Sequence, residues 1–370
     1  MLDPKPYILP FLLAFLFSLI LTPAIRKIAL KFDFVDRPAK RKVHKKPTAR
    51  MGGVSIFVSF ILVAVIFYFA RPYFFTFAPW QDYNLFLKFF GVFLGALILV
   101  IVGLVDDKKT LSPWIKLIFQ ILAALCVILA GTRVEYINNP FGGFINFGQL
   151  SFNFDLFDVN FSIIPIADLV TLIWIVGMIN VVNFLDGLDG LAAGVSFFGA
   201  ISIFFISLLL TVYQPATAFL AIILAGAVLG FIPYNFNPAK IFMGDSGSQF
   251  LGYILAILAV ISGAKLATAF LVLGFPILDG LWVVTRRIIR GTSPFRADRS
   301  HLHHRLLDFG FSVRQAVIFL WMISLIFGLI GIISTTYGKM LSGMILILVM
   351  ILLLITLTFF GKRKNEKKIG

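Results

Sequence analysis

The chain has 370 residues, of which 60% are hydrophobic and 13% charged, with a mean hydropathy of +0.99. A typical soluble domain carries about 25% charged residues, so a wholly water-facing surface is excluded and lipid must be part of the solvent. The net charge of +15 would suit nucleic acid, but the basic residues sit in loops between apolar runs, a pattern of membrane topology rather than of a nucleic-acid surface.

Eleven apolar runs have spanning length, about 20 residues for a hydrocarbon core of roughly 30 Å. They cover 7–25, 54–70, 85–105, 114–130, 163–184, 191–211, 215–232, 248–262, 264–285, 314–334 and 340–360. The predicted fold is an all-α polytopic membrane protein, one integral-membrane domain over 1–370 with no dividing linker and no internal repeat. No small-residue cleavage site follows the first run, which reads as a retained helix. In the loop 131–162, Leu150-Ser151-Phe152-Asn153-Phe154-Asp155-Leu156 alternates behind Gly142-Gly143, which predicts a small β-hairpin. The single cysteine, Cys126, excludes an intrachain disulfide.

An odd number of spans puts the termini on opposite sides. The segments 26–53, 106–116, 233–246, 286–314 and 361–370 then share one side and hold 26 of the 32 Lys and Arg residues. By the positive-inside rule that side is the cytoplasm. The N-terminus and the loop 131–162 are therefore expected outside, and the loop 286–313 and the C-terminus in the cytoplasm.

Six of the 17 acidic residues sit at or inside predicted helix ends on the cytoplasmic side: Asp106, Asp107, Asp186, Asp189, Asp245 and Asp279. A carboxylate within a membrane costs about 2.5–3.5 kcal/mol on the insertion scale, so six at one level imply a task beyond helix capping. Gly103-Leu104-Val105-Asp106-Asp107-Lys108-Lys109 closes the third run with paired carboxylates, which suit a divalent cation or a general base. Further on, Asn180 and Asn183 lie one helical turn apart. The Asp186-Gly187 and Asp189-Gly190 steps that follow turn the chain and expose backbone amides to a ligand. Asp245 lies in a Gly-Asp-Ser-Gly-Ser turn that opens the next run, and Asp and Asn oxygens are hard ligands suited to Mg²⁺.

The cytoplasmic loop 286–313 gathers Arg296, Arg299, His301, His303, His304 and Arg305. Zinc is one reading of three histidines, but the arginines repel a cation and recognition of phosphate oxygens fits better. The stretch from His44 to Gly53, with Lys45, Lys46 and Arg50, is either topogenic or in contact with substrate. A nucleotide diphosphate and a lipid phosphate, each with about two negative charges, repel by about 13 kcal/mol at ~5 Å and an effective dielectric of ~20. A metal, cations and proton-handling carboxylates are what such a meeting needs, and phosphoryl transfer is mostly positioning and charge neutralisation. A cation-coupled transporter is the competing class; it would place charges near the bilayer midplane rather than at one face.

The motifs HKKPTARMGG (44–53), GLVDDKKTLSP (103–113), NVVNFLDGLDGLAAG (180–194), NPAKIFMGDSGSQFLG (237–252), FPILDGLWVVTRRI (275–288) and RSHLHHRLL (299–307) come in a familiar order. From Met1 to beyond His304 the chain resembles the polyprenyl-phosphate N-acetylhexosamine-1-phosphate transferase superfamily, glycosyltransferase family 4. HLHH followed by RLL resembles its WecA/TagO-like branch; the phospho-MurNAc-pentapeptide branch carries a Pro and three consecutive histidines there. The resemblance implies transfer of GlcNAc-1-phosphate from UDP-GlcNAc to undecaprenyl phosphate in the bacterial inner membrane, with Mg²⁺ or Mn²⁺. The products would be UMP and undecaprenyl-pyrophosphoryl-GlcNAc, the first membrane step of cell-surface glycopolymer synthesis. Another N-acetylhexosamine or phospho-MurNAc-pentapeptide stays open as the transferred group, as does a homodimer.

By position, the resemblance implies that Asp245 ligates the metal, with Asn183 near metal and pyrophosphate. Asp106 and Asp107 would deprotonate or orient the lipid phosphate. Asp186 and Asp189 would line the uridine side, with Asp189 the better candidate for the base. Lys46, or else Lys45, would contact substrate, and His301, His303, His304 and Arg305 would hold the donor's pyrophosphate or sugar, with Arg296 a further substrate-binding candidate from the basic character of the same loop. Direct attack on the donor's β-phosphorus and a two-step route through an aspartyl-phosphate both stay open.

Overall fold

The computed structural model describes residues 3–37, 47–70, 85–156, 159–209, 212–261, 266–291 and 301–369. Among them the first half of the chain forms helices α1 (Ile8–Lys31), α2 (Gly52–Ala70), α3 (Leu85–Lys108), α4 (Pro113–Leu129), α5 (Pro165–Leu185) and α6 (Leu191–Ser207). The second half forms α7 (Pro215–Asn235), α8 (Gly244–Ile261), α9 (Leu266–Val272), α10 (Gly274–Ile289), α11 (Leu302–Phe309), α12 (Val313–Ile333) and α13 (Thr336–Ile369). Proline opens α4, α5 and α7, where its missing N–H costs nothing. Ser112 caps α4, and Ser312 forms a capping box with Gln315 on α12.

Each of the eleven predicted runs is helical over most of its described residues, but not all in one piece. Among the described residues eight helices are long and apolar enough to cross a membrane, and α9 with α10, bent by 80° between Val272 and Gly274, form either one broken span or a re-entrant loop. Helices α4 and α6 are apolar but shorter, at 17 residues each. The loop 131–162 holds two antiparallel hairpins where one is expected. Strands β3 (Tyr136–Asn138) and β4 (Phe144–Asn146) flank Gly142-Gly143, and β5 (Phe152–Leu156) pairs with β6 (Val159–Ile163). A further unexpected pair joins β1 (Val35–Asp36) to β2 (Thr48–Ala49).

Helices α7 and α8 are almost wholly buried and form the centre of the bundle. Without a hydrophobic drive between helices in lipid, close backbone contact and polar links must hold them. A Cβ on Gly226 would lie 2.4 Å from the Phe11 carbonyl oxygen and one on Gly230 2.3 Å from that of Phe15, so α7 meets α1 through a Gly-x-x-x-Gly face. Thr22 Oγ1 donates to Ser55 Oγ at 2.9 Å between α1 and α2. Trp174 Nε1 donates to the Ala256 carbonyl at 3.1 Å between α5 and α8, and Asn180 Nδ2 to Gln120 Oε1 at 2.7 Å between α5 and α4. Arg133 and Asp168 pair at 3.4 Å beside the hairpins, at the end of the bundle away from Asp106, Asp107 and Asp245.

Candidate active site

At the other end the chain packs backbone against backbone. Segment 49–53 runs beside 241–243: Phe242 N–H donates to the Ala49 carbonyl at 2.8 Å, while Gly52 and Gly53 N–H donate to the Phe242 and Met243 carbonyls at 2.9 and 2.8 Å. Glycine permits this approach. A Cβ on Gly53 would lie 2.1 Å from Gly247 Cα, and one on Gly103 2.4 Å from Ser246 Cα. One on Gly244, whose φ is +76°, would lie 2.4 Å from Asp107 Oδ2. The start of α2 and the end of α3 are thereby pressed onto the first turn of α8.

Asp107 exploits that closeness. Asp245 N–H donates to its Oδ1 at 2.9 Å, and Ser246 donates to its Oδ2 through Oγ at 3.0 Å and N–H at 3.4 Å. Arg50 Nε lies 3.6 Å from Oδ1. The carboxylate thus caps α8 and complements the positive end of its dipole. Asp106 faces elsewhere: Oδ1 accepts from Leu111 N–H at 2.7 Å, and Oδ2 lies 3.4 Å from Lys116 Nζ. Lys116 Nζ also lies 3.0 Å from Asp245 Oδ2, which Gln249 Nε2 approaches at 3.4 Å. Sequence reasoning assigns Lys116 no role. The signal it left was a lysine inside an apolar run, where ionisable groups are rare and mostly functional.

Asp186, just past the end of α5, belongs to the same charge cluster. Loss of hydration raises its proton affinity well above the ordinary carboxylate range; Arg50 opposes this, while Asp245, Asp107 and Asp189 reinforce it. Burial also works against the charge of Arg50, but Asp107, Asp36, Asp245 and Asp186 outweigh it and leave its pKa raised. Asn183 Nδ2 donates to Ser248 Oγ at 2.9 Å, one turn along α8 from Asp245. Asp189 is engaged differently. Its Oδ2 accepts from Asn237 Nδ2 at 2.9 Å and from Ala239 N–H at 3.0 Å, so it ties the α5–α6 turn to the segment before α8. Asn235 adds to that tie by accepting from Gly190 N–H at 3.1 Å.

The histidines pack on the 184–187 turn. His301 sits 5.7 Å from the Phe184 ring and is nearly parallel to His303 at 5.6 Å; His303 and His304 are 4.4 Å apart. A Cβ on Gly187 would lie 2.5 Å from His303 Nε2. Burial, then the neighbouring His304 and His301, hold His303 well below the usual imidazole pKa, so it is a neutral packed ring. Arg305 is partly buried on the same helix, α11. Asp279 of α10 holds His301 Nδ1 at 2.9 Å, a pairing between residues whose roles sequence reasoning leaves separate. Lys46 and Arg296 lie outside the described residues.

Among the described residues no three His, Cys, Asp or Glu side chains form a metal cage. Mg²⁺ does not require one, since it keeps several waters and is commonly held by one or two carboxylates plus substrate phosphates. Asp245 and the amide oxygen of Asn183 are hard donors of that kind. The Lys116 ammonium shows that the gap between Asp245 and Asp106 accepts positive charge. The donor set therefore fits Mg²⁺ in kind.

The model of glycosyl transferase family 4 matches residues 89–263, which take in Asp106, Asp107, Asn183, Asp186, Asp189 and Asp245. The chain is 33% identical over 335 residues to the probable undecaprenyl-phosphate N-acetylglucosaminyl 1-phosphate transferase of Bacillus subtilis, covering 88% of this chain and 84% of that one. The chain belongs to glycosyl transferase family 4. It is also 33% identical over 366 residues to the decaprenyl-phosphate N-acetylglucosaminephosphotransferase of Mycolicibacterium smegmatis, with 90% and 84% covered. The undecaprenyl-phosphate alpha-N-acetylglucosaminyl 1-phosphate transferase of Yersinia pestis is 28% identical over 336 residues, with 86% and 82% covered. Within the family the chain is WecA/TagO-like, a membrane transferase of the phospho-GlcNAc class.

Proposed function

We propose that this chain transfers GlcNAc-1-phosphate from UDP-GlcNAc to undecaprenyl phosphate, releasing UMP and forming undecaprenyl-pyrophosphoryl-GlcNAc. The observation that carries the reading is the meeting of Asp106, Asp107, Asp186 and Asp245 with Arg50 and Lys116 at one end of an apolar bundle. Such a site offers two anionic substrates both cations and proton-handling groups. The sequence segments 26–53, 106–116, 233–246, 286–314 and 361–370, which hold 26 of the 32 basic residues and include Arg50, Asp106, Asp107, Lys116 and Asp245, favour a cytoplasmic site in a bacterial plasma membrane, with eleven spans in all. The relatives' names support the lipid and the sugar.

In this mechanism a lipid-phosphate oxygen attacks the β-phosphorus of the donor. A new P–O bond forms as the bond from that phosphorus to the bridging oxygen breaks, and UMP leaves with the electron pair. Asp106 and Lys116 orient the acceptor phosphate, and Asp106 takes its residual proton. Asp107 has both oxygens engaged by α8 and Arg50, which favours a structural role over nucleophilic attack and supports the direct route. Asp245 and Asn183 would hold Mg²⁺, which shields charge on the diphosphate when bound. Asp186 and Asp189 line the uridine side. His301, His304 and Arg305 meet the pyrophosphate or sugar, while His303, which the resemblance also places there, is buried and packs beneath them against Gly187.

The test offers purified protein undecaprenyl phosphate, Mg²⁺ and a panel of UDP-sugars, and measures UMP. UMP is expected from UDP-GlcNAc only when lipid phosphate is present, and chelation should stop its release until Mg²⁺ or Mn²⁺ is returned. Preference for UDP-MurNAc-pentapeptide would overturn the sugar assignment, and no UMP from any donor would overturn the transferase reading.

A further inference from the structure

We infer that Asp279 is a positioning residue that fixes the tautomer and orientation of His301, so that Nε2 is the nitrogen presented to the donor. The inference rests on the reading above that the His301–Arg305 segment meets the donor's diphosphate. Asp279 lies on α10, is 5% exposed, and makes two hydrogen bonds to adjacent residues of one short element. Its Oδ2 lies 2.9 Å from His301 Nδ1, and its Oδ1 accepts from Leu302 N–H at 2.8 Å. An ionised carboxylate accepts only, so Nδ1 must carry the proton.

A helix cap alone does not account for this arrangement. Serine or asparagine would accept from Leu302 N–H as well, at a lower desolvation cost. The second oxygen, set on a ring nitrogen, is what capping does not need. Phe184 and His303 lie against the His301 ring and restrict its plane, while Asp279 restricts its rotation within that plane. With Nδ1 committed, Nε2 is left to meet substrate. A second proton there lets the ring donate to a phosphate oxygen while Asp279 balances the charge, as a carboxylate does for the histidine of a hydrolase triad. The α11 helix is only eight residues long.

A double-mutant cycle in the full-length protein tests the assignment. Asp279→Asn keeps the size and an acceptor for Leu302 N–H but removes the charge and lets the ring take its other tautomer. The expected result is near-wild-type melting and an unchanged KM for undecaprenyl phosphate. The kcat/KM for UDP-GlcNAc should fall by about 30-fold, mostly through KM. In a His301→Ala background the same change is expected to cost less than about 2-fold, and equal losses in the two backgrounds would overturn the proposal. Asp279→Glu, which keeps the charge, is expected to recover part of the loss. If the wild-type chain releases no UMP, the reaction reading fails by itself. The ¹⁵N spectrum of wild-type His301, recognised by its absence from His301→Ala, still decides the tautomer in that event, or if Asp279→Asn fails to fold. A ring protonated at Nδ1 supports the clamp, and a ring protonated only at Nε2 overturns it.

Discussion

Asp107→Asn separates holding the site together from performing its chemistry. The carboxylate accepts from Asp245 N–H and from the Ser246 hydroxyl and N–H, with Arg50 Nε at 3.6 Å. An amide of the same shape has one oxygen and one NH₂, so whichever way it turns a donor faces a donor at the start of α8. One charge-assisted hydrogen bond, about 1.5–3 kcal/mol, is lost. A helix-dipole contribution of about 0.3–1 kcal/mol goes with it. Together these predict a destabilisation of about 2–4 kcal/mol. Asp106→Asn differs, because its amide oxygen still accepts from Leu111 N–H. What it loses is a charge 3.4 Å from Lys116, which keeps its 3.0 Å contact with Asp245, and with that charge goes the repulsion between the Asp106 and Asp245 carboxylates, so the two changes offset each other. Thermal melting in detergent and UMP release, measured on the same preparations, distinguish the two. Asp107→Asn should melt several degrees lower, whereas Asp106→Asn should melt like wild type yet lose about 10²-fold or more in turnover. Equal melting of both variants would refute the division of roles.

Lys116→Met removes the ammonium between Asp245 and Asp106 but keeps most of the apolar stem. Turnover should fall while half-saturation by Mg²⁺ moves to lower concentration, because the carboxylates lose a competing cation; an unchanged Mg²⁺ titration removes Lys116 from the metal's neighbourhood. His303 gives a pH prediction. Its folded pKa is held well below 6.5 by burial and by His304 and His301. The unfolded chain takes up that proton first as pH falls through 6.5, so the stability contribution is complete above that pH. Below it the loss is at most about 1.4 kcal/mol per pH unit until the folded pKa is reached. Melting between pH 7.5 and 5.5 should therefore drop further in wild type than in His303→Gln, and equal drops would argue against a neutral buried ring.

Helix existence is legible because apolar runs of spanning length have few alternatives in lipid. Direction is not: the 264–285 run reads as one span interrupted only by Lys265 and Asp279, yet the chain turns through 80° beside Gly274 and Pro276. Alternation over 150–156 reveals one hairpin, whereas the three-residue strands around Gly142-Gly143 are too short to show a period. The acidic motifs point to a site because each carries its chemistry locally. What they cannot carry is partnership over distance. Asp107 caps a helix 138 residues away, Lys116 meets Asp245 across 129, and Asp279 finds His301 across 22. Asp189 shows the reverse limit: a motif role on the uridine side says nothing of its hold on Asn237 and Ala239.

The contacts at Gly53, Gly103, Gly244 and Gly247 make the site difficult to transplant. Copying its aspartates, lysine and arginine onto another helical bundle would reproduce the reactive inventory without the axial spacing that lets Asp107 reach the start of α8. One methyl group at any of these four positions separates elements that must touch. Mutational tolerance in this region therefore follows backbone clearance rather than reactivity. For a designer, the glycines are as much a part of the recipe as the charges.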